Sequence, residues 1–233
     1  MKKLVLASLA VLAPISANAA EITPYVSEKI SYSFTSVSNA EVGAETWSNK
    51  GTDEKDNVLG NRLAIGLAAP ISAISGALRA ELEWGWNAKM NIDSDMATQP
   101  TGAPETIGFA NDIKTNTFAV NAYYDLDTGT AFKPYVGAGF GVAHINYDTQ
   151  SYGLTAAGQD EQYGKGSTES IVWSVGAGVS YDIDANIAID LGYRYTDFGT
   201  VNGLITSTGF DNFQKLSADL SSHEVNIGVR YAF

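Results

Sequence analysis

The sequence predicts an all-β protein, an eight-stranded antiparallel up-and-down transmembrane β-barrel. Three observations lead to this fold class. Apolar and polar residues alternate in eight segments, short turns and long polar connections follow one another between the segments, and aromatic residues collect at both ends of the apolar face. Alternation with a period of two is typical of strands whose two faces meet different surroundings.

The eight segments have about the ten residues that a tilted strand needs to cross a bilayer. They cover residues 22–35, 57–69, 76–91, 115–125, 132–146, 170–182, 187–197 and a last segment that ends at Phe233. The clearest is 76–91. Its seven even positions from Leu78 to Met90 are all apolar, while five of the seven odd positions from Ala77 to Lys89 carry a charge or an amide. No apolar pattern of helical period and useful length follows the first twenty residues.

The connections between the segments alternate in length. Short turns are expected at Pro70–Ser75, Asp125–Ala131 and Asp182–Asn186. Long, polar and acidic loops of about twenty residues are expected at 36–56, 92–113, 147–169 and 198–215. Short turns at one end and long loops at the other are the arrangement of bacterial outer-membrane barrels.

Composition excludes several classes of function. The chain has 14 Lys and Arg against 26 Asp and Glu, which disfavours a nucleic-acid partner because such binding depends on clustered cations. It has no cysteine, so disulfides, thiolate zinc sites and cysteine nucleophiles are ruled out. We expect no cofactor and no metal.

Residues 1–19 predict a cleaved signal peptide. Lys2 and Lys3 precede an apolar run from Leu4 to Ile15 and an A-x-A cleavage site at Ala17–Ala19. The run is too short to span a bilayer, although a short membrane anchor is the alternative. The mature chain, residues 20–233, is then one exported barrel domain.

Three features decide which face is inside: aromatic residues at the strand ends, apolar parity that continues to Phe233, and charges of both signs on the polar face. A soluble barrel would hide the apolar face and expose these charges to water, whereas paired charges suit the narrow lumen of a membrane barrel. We expect a polar network in the lumen from Arg62, Arg79, Glu81, Glu83, Lys89, Asp190, Arg194, Glu224 and Arg230. Glu28 fits badly, because it falls on the apolar parity; either the first strand enters the bilayer after it or a bulge shifts the register.

Aromatic residues of the apolar face predict two girdles at the membrane interfaces. The girdle at the loop end comprises Tyr32, Phe34, Trp84, Trp86, Phe118, Trp173, Tyr193 and Tyr195. The girdle at the turn end comprises Tyr124, Phe132, Tyr181, Tyr231 and Phe233.

Glycines share the lumen parity on two neighbouring strands: Gly137, Gly139, Gly141, Gly176 and Gly178. No helix is predicted after them, so a nucleotide-binding loop is disfavoured. Their missing side chains are expected to leave room for Arg79, Glu81, Arg194 and Tyr135 in a barrel that side chains fill.

Three segments carry a resemblance to a known family. They are PYVGAGFGVA (Pro134–Ala143), DLGYRYTDFG (Asp190–Gly199) and the ending EVNIGVRYAF (Glu224–Phe233). They resemble the opacity-type small porins, eight-stranded outer-membrane barrels related to the transmembrane domain of OmpA. The resemblance implies the outer membrane of a Gram-negative bacterium, with its lipid and lipopolysaccharide, as the location.

The same resemblance implies a partner and a set of functions. Ile227, Val229, Tyr231 and Phe233 match the terminal-strand signal that the barrel assembly machinery recognises. Members of the family are surface antigens, adhesins or narrow pores. We therefore expect a structural surface protein, not an enzyme, with a narrow porin for small solutes as the alternative.

The four long loops supply the expected contact surface for an extracellular ligand. They carry the aromatic residues Trp47, Phe109, Tyr152, Tyr163 and Phe210. Two weaker possibilities concern their polar residues. The acids Asp53, Glu54, Asp56, Asp93 and Asp95 suggest Ca²⁺ but form no complete ligand loop. A remote alternative is a lipid-A-modifying hydrolase built on Asp219, Ser221 and His223, with His144 the other histidine, although residues in line on a strand lie about 7 Å apart.

Overall fold

Strands account for all regular secondary structure in the described part of the chain. The computed structural model describes residues 22–44, 47–50, 54–71, 75–98, 105–155, 158–206 and 213–233, so the predicted signal peptide lies outside it. The strands are β1 (Thr23–Ala44), β2 (Trp47–Lys50), β3 (Glu54–Ile71), β4 (Gly76–Asn87), β5 (Met90–Thr98), β6 (Glu105–Leu126), β7 (Phe132–Thr155), β8 (Gly158–Asp182), β9 (Ile187–Thr206) and β10 (Phe213–Ala232).

Among these residues, no helix has the length and apolar character needed to cross a membrane.

Eight of the strands close into an antiparallel barrel. Their order is β1, β3, β4, β6, β7, β8, β9 and β10, and β10 pairs with β1 to complete the ring. The two short strands extend the barrel at one end, since β2 pairs with β1 and β5 pairs with β6. The predicted fold class is therefore confirmed.

The register of the strand pairs fixes the tilt of the strands. Starting at Glu28 and crossing pair by pair, two paths around the ring meet on β8. One runs Glu28, Leu63, Trp84, Phe118, Val142, Ile171 and the other Glu28, Val229, Ile189, Tyr181. They end ten residues apart. With about 4.8 Å between strands and about 3.3 Å per residue, this stagger tilts the strands by about 41° from the barrel axis.

The two faces of the barrel are as different as the alternation predicts. Large apolar side chains point outward and are exposed, for example Ile30, Leu82 and Val136. Polar and charged side chains point inward and are buried, for example Ser31, Glu81 and Asn121. The outer surface is therefore the apolar one.

The four long connections differ from the prediction, because much of each is paired strand. β7 and β8 remain paired as far as Thr155 and Gly158, and β9 and β10 as far as Thr206 and Phe213. These segments were expected to be loops because they lack alternation. A strand that has water on both sides carries polar residues on both faces, so the period of two disappears.

The third predicted segment, 76–91, is interrupted. β4 ends at Asn87 and β5 begins at Met90, while Ala88 donates a backbone hydrogen bond to Leu59. The interruption reverses the parity as a bulge does. Met90, expected on the outer face, is therefore buried inside, and Lys89, expected in the lumen, is exposed.

Bulges elsewhere lie at the loop end of the barrel. The β1–β10 register shifts between Ser38 and Glu41, where Asn39 has a φ of 51°, and the β9–β10 register shifts between Asp219 and Ser221. Gly199, opposite the second shift, has a φ of 66°, which glycine adopts without strain. The alternative of a bulge near Glu28 is wrong, because the β1–β10 register is continuous from Tyr25 to Ser38.

Candidate functional site

The polar interior of the barrel is a network of ion pairs. Five buried or nearly buried cations face five buried carboxylates, so the charges balance. The cations are Lys29, Arg62, Arg79, Arg194 and Arg230, and the carboxylates are Glu81, Glu83, Asp125, Asp190 and Glu224. The tilt of the strands brings residues of β1, β3, β4, β6, β9 and β10 together across the lumen.

Glu83 on β4 is the centre of the upper half of this network. Arg194 on β9 donates to both of its oxygens, with N–O distances of 2.6 and 3.0 Å. Lys29 and Arg62 each lie 3.9 Å from it. Arg62 also donates to both carboxylate oxygens of Glu224, its Nε at 3.1 Å. One carboxylate therefore links cations from three strands.

Glu81, two residues before Glu83, organises the lower half. It accepts hydrogen bonds from Lys29 at 3.1 Å, Arg79 at 3.3 Å and the Tyr25 hydroxyl at 3.0 Å. Arg79 continues to Asp125, with Nη2 to Oδ1 at 2.9 Å. The network therefore continues without a break towards the turn end.

Arg230 completes the network near the turns. Its guanidinium lies 3.8 Å from Asp125 and 3.7 Å from Asp190, which also accepts a hydrogen bond from Ser180. Buried ions that lie beside opposite charges avoid the large cost of an isolated buried charge.

Tyrosine rings fill the space between the ions. The Arg79 guanidinium lies 4.6 Å from the centre of the Tyr123 ring and 5.2 Å from that of Tyr135. The Tyr123 hydroxyl accepts a hydrogen bond from Arg194 at 3.0 Å. Cations over aromatic faces are attracted by the ring quadrupole.

The structure brings together eight of the nine predicted network residues. Lys89 is the exception: its side chain is 46% exposed and pairs with Asp112 on the outer surface at 2.9 Å. Its displacement follows from the interruption between β4 and β5. Sequence reasoning missed Lys29, Asp125, Tyr25 and Tyr123. Lys29 and Tyr25 share the inward parity of β1, which was a usable signal, but Asp125 was assigned to a turn.

The glycines predicted in the lumen lie where larger side chains need space. A Cβ atom on Gly137 would lie 2.3 Å from the Tyr123 ring, and one on Gly139 would lie 2.1 Å from Asn121. At Gly178 it would lie 2.5 Å from the Tyr135 ring. Gly141 and Gly176 lie against the backbone of the neighbouring strand. Of the four side chains expected in this space, Tyr135 lies at Gly178 and Arg194 lies beside Gly176. Tyr123 and Asn121, not Arg79 and Glu81, lie at Gly137 and Gly139.

An apolar cluster that the sequence pattern does not predict lies at the loop end of the lumen. Its buried members are Val37, Ala143, Ile145, Val172, Phe198 and Leu220. Ile145 and Phe198 are 0% and 2% exposed. Inside the network, two cavities of about 20 Å³ lie beside Arg194, each with room for about one water molecule. A larger space of about 410 Å³ lies at the turn end, lined by Arg79, Asp125 and Arg230.

The aromatic residues predicted in the girdles all point outward. At the loop end, the exposed members are Tyr32, Phe34, Trp84, Phe118, Trp173 and Tyr193, and the half-exposed members are Trp86 and Tyr195. At the turn end, the exposed members are Phe132, Tyr181, Tyr231 and Phe233, and the half-exposed member is Tyr124. Ile227, Val229, Tyr231 and Phe233 of the predicted assembly signal point outward together.

The three residues of the hydrolase alternative do not bond to one another. Asp219 accepts hydrogen bonds from Thr200 at 2.7 Å and Asn39 at 2.9 Å, and these two bonds lower the pKa of its carboxyl. The His223 ring bonds to the Tyr193 hydroxyl at 2.5 Å. Asp219 thus connects the bulges of β1 and β9 through hydrogen bonds. The other histidine, His144, lies exposed on β7.

Several predicted loop residues cannot be placed. Two of them, Asp53 and Phe210, lie outside the described residues. Seven others have side chains that lie outside the description: Trp47, Glu54, Asp93, Asp95, Phe109, Tyr152 and Tyr163. Asp56 is described and accepts a hydrogen bond from the Asn91 backbone at 2.8 Å. In the described part of the chain, no three acidic or histidine side chains form a metal-binding group.

Known proteins resemble the chain in sequence and in fold. Residues 4–233 match the family described as outer membrane protein beta-barrel domain. Outer membrane protein PagN of Salmonella typhimurium is 28% identical over 183 residues, which cover 78% of this chain and 75% of that protein. An opacity protein of Neisseria gonorrhoeae is 29% identical over 138 residues, which cover 51% of this chain and 53% of that protein. The crystal structure of the outer membrane protein OprG from Pseudomonas aeruginosa superposes with a TM-score of 0.53 at 16% identity, covering 89% of this chain and 95% of OprG.

Proposed function

Because the chain belongs to the outer membrane protein β-barrel family and lies in the outer membrane of a Gram-negative bacterium, we propose that it is a surface-exposed binding protein. Its barrel is an anchor with a filled lumen, and its extracellular strand extensions carry the contact surface. The function of surface antigen or adhesin belongs to these extensions.

The side chains that occupy the lumen are the observation that carries this proposal. The ion-pair network occupies the level of the lipid-facing band, and the apolar cluster lies above it at the loop end. An ion would have to break buried salt bridges and then cross a dry constriction, where water is excluded. A barrel of eight strands is normally filled by side chains, which supports the same conclusion.

The extracellular strands support a binding role. From Val142 to Thr155, β7 continues for thirteen residues beyond the loop-end girdle while paired with β8, about 43 Å measured along the strand. A paired hairpin holds its backbone in a fixed arrangement, so less conformational entropy is lost on binding than in an irregular loop.

A shortened hairpin tests the binding role. Thr149 pairs with Gly164, so replacing residues 149–164 by a two-residue Asn-Gly turn keeps Asp148 and Lys165 paired across the new hairpin end. Bacteria displaying the shortened protein should be retained less on epithelial monolayers, and antibodies against the full protein should label them less. Heat-modifiable gel migration checks that the barrel is folded. Equal retention and labelling would contradict the proposal for this hairpin.

The narrow porin is the second candidate, favoured only by the 410 Å³ space at the turn end. Planar-bilayer recording separates the two functions. The filled lumen predicts small or rare openings. Steady and large conductance that changes in Arg79→Ala would favour the porin.

Assembly and lipid contacts follow from the same placement. The outward aromatic residues form the two proposed girdles, in contact with the lipid and lipopolysaccharide of the outer membrane. The terminal strand, with Tyr231 and Phe233 on its outer face, is the proposed recognition signal for the barrel assembly machinery. Replacing Phe233 by Ser should slow the appearance of folded protein in growing cells while the refolded protein keeps its stability.

A further inference from the structure

Glu28 lies on the outer face of the barrel among apolar side chains. On the same face, its strand neighbours Val26 and Ile30 are 40% and 55% exposed, and its cross-strand partners Leu63 and Val229 are 39% and 52% exposed. The continuous register of β1 leaves no bulge that could turn it inward. A carboxyl group therefore faces the lipid side of the barrel.

The height of Glu28 follows from the tilt of the strands. At a tilt of about 41°, a residue adds about 2.5 Å of height and each strand crossing adds or removes about 3 Å. On this scale the turn-end residues Tyr231 and Phe132 lie about 8 and 13 Å below Glu28, and the loop-end residues Tyr32 and Phe34 about 10 and 15 Å above it. Glu28 is close to the middle of the band between the two girdles.

A polar group at this depth has a high cost when it faces lipid alone. Ionisable residues inside a membrane almost always face a partner, and they mark sites of interaction. Glu28 has one such partner in its own chain, since Asn61 Nδ2 donates to Glu28 Oε1 at 3.0 Å. That bond uses one of the two amide hydrogens and one of the two carboxyl oxygens, so a donor and an acceptor remain.

The remaining donor and acceptor complement each other. In a pair of barrels related by a two-fold axis along the membrane normal, equal heights face one another. Since the Glu28 carboxyl and the Asn61 amide meet at one height, the axis brings each carboxyl beside the amide of the other copy. Two-fold contacts between identical patches are the commonest form of homo-oligomer.

We propose that the face formed by β1 and β3 around Glu28 and Asn61 is a lateral self-association surface, through which two copies of this chain pair in the outer membrane. Ile30, Leu63 and Ile65 supply its apolar contacts. The inference uses the membrane placement of the barrel and is independent of what the extracellular hairpins bind.

Cysteine cross-linking in native outer membranes tests the surface, because the described chain has no cysteine of its own. Ile30→Cys places a thiol on the proposed face. Val175→Cys is the matched control, since Val175 is 47% exposed on β8, across the barrel and at about the same height. With a short bismaleimide reagent, Ile30→Cys should give a product of twice the monomer mass and Val175→Cys should not.

The polar pair is then tested in the Ile30→Cys background. Two hydrogen bonds between membrane segments at about 0.6 kcal/mol each amount to about sevenfold in association. Adding Glu28→Leu should therefore lower the dimer yield by up to about sevenfold, whereas Glu28→Gln, which keeps an acceptor, should retain it. Glu28→Leu removes a polar group from lipid, so heat-modifiable migration should show a folded barrel.

Three outcomes would overturn the proposal. They are equal cross-linking of Ile30→Cys and Val175→Cys, an undiminished dimer in Glu28→Leu, and a product whose mass identifies a different protein.

Discussion

At the scale of single residues, one carboxylate connects several cations of the lumen. Glu83 is within 4 Å of three cations, contributed by β1, β3 and β9, and it is buried. Lys89 shows the opposite situation, an exposed pair with Asp112. Glu83 and Lys89 each take part in pairs between a cation and a carboxylate, yet water screens only the Lys89–Asp112 pair.

Replacing Glu83 with Gln should therefore be costly. The change leaves Arg194, Lys29 and Arg62 without their shared counter-ion, and breaking a buried ion pair costs about 3–5 kcal/mol. Urea unfolding in lipid vesicles, followed by heat-modifiable migration, measures the loss. Lys89→Gln is the control and should cost less than about 1 kcal/mol, because exposed pairs contribute little. Equal losses in the two variants would contradict the assigned role of Glu83.

The pKa of Asp219 supplies a second prediction at this scale. Hydrogen bonds from Thr200 and Asn39 hold it below its ordinary value of 3.8. A carboxyl with a lowered pKa stabilises the fold above its unfolded pKa, and that contribution is lost as the pH falls through the folded value. In an NMR titration of the micelle-bound protein, Thr200→Val should raise the pKa of Asp219. An unchanged value would show that the Thr200 bond does not form.

At the scale of elements, strands outside the membrane have no alternating signature. Inside the membrane the period of two follows from lipid on one side and a packed lumen on the other. Above the membrane both faces meet water and the alternation is lost. The sequence therefore predicts a loop where β7 and β8 continue as paired strands. The single inserted residue between β4 and β5 is also invisible in the sequence pattern. It places Lys89 and Met90 each on the face opposite to the predicted one, without any change in composition.

The packing of neighbouring strands depends on glycine at Gly137. A side chain there would overlap the Tyr123 ring, since even a Cβ atom would lie 2.3 Å from it. Gly137→Val should destabilise the barrel by about 1–3 kcal/mol, the usual cost of overpacking. The matched control is Ala138→Val, one residue along and exposed on the outer face, which should have little effect on the urea midpoint. A smaller ring-free residue in Tyr123→Leu should recover part of the loss, and failure to do so would point to a backbone clash instead.

At the scale of the whole molecule, two layers close the barrel in series. The ion-pair network lies within the lipid-facing band, and the apolar cluster around Phe198 lies above it. We expect each layer to oppose ions by a different mechanism, the first by bound charge and the second by exclusion of water.

Opening one layer should therefore leave the barrel closed. In planar bilayers, Phe198→Ala alone and Arg194→Ala alone should each show no steady current, because the other layer remains. The combined variant should show frequent openings, provided that its heat-modifiable migration shows a folded barrel. Steady conduction through Phe198→Ala alone would contradict the two-layer arrangement.

Most of the fold, and part of the site, is predictable from local pattern. Eight of the nine predicted network residues are inside, because parity on a two-faced strand determines which side a residue faces. Lys89 was misplaced because an inserted residue leaves no compositional mark. Lys29 was missed because it lies beside Glu28, which breaks the apolar alternation of its strand, and Asp125 was missed because it lies at a predicted turn.

The order of residues in this chain determines its two-faced strands, and these determine its place in a membrane, since each strand reports its own surroundings with a period of two. Contacts across the lumen have another origin. Which cation meets Glu83, which layer closes the loop end, and that Glu28 lies halfway between the girdles all depend on the ten-residue stagger around the ring. That stagger is a property of strand pairing and closure, so it appears only when all eight strands are assembled.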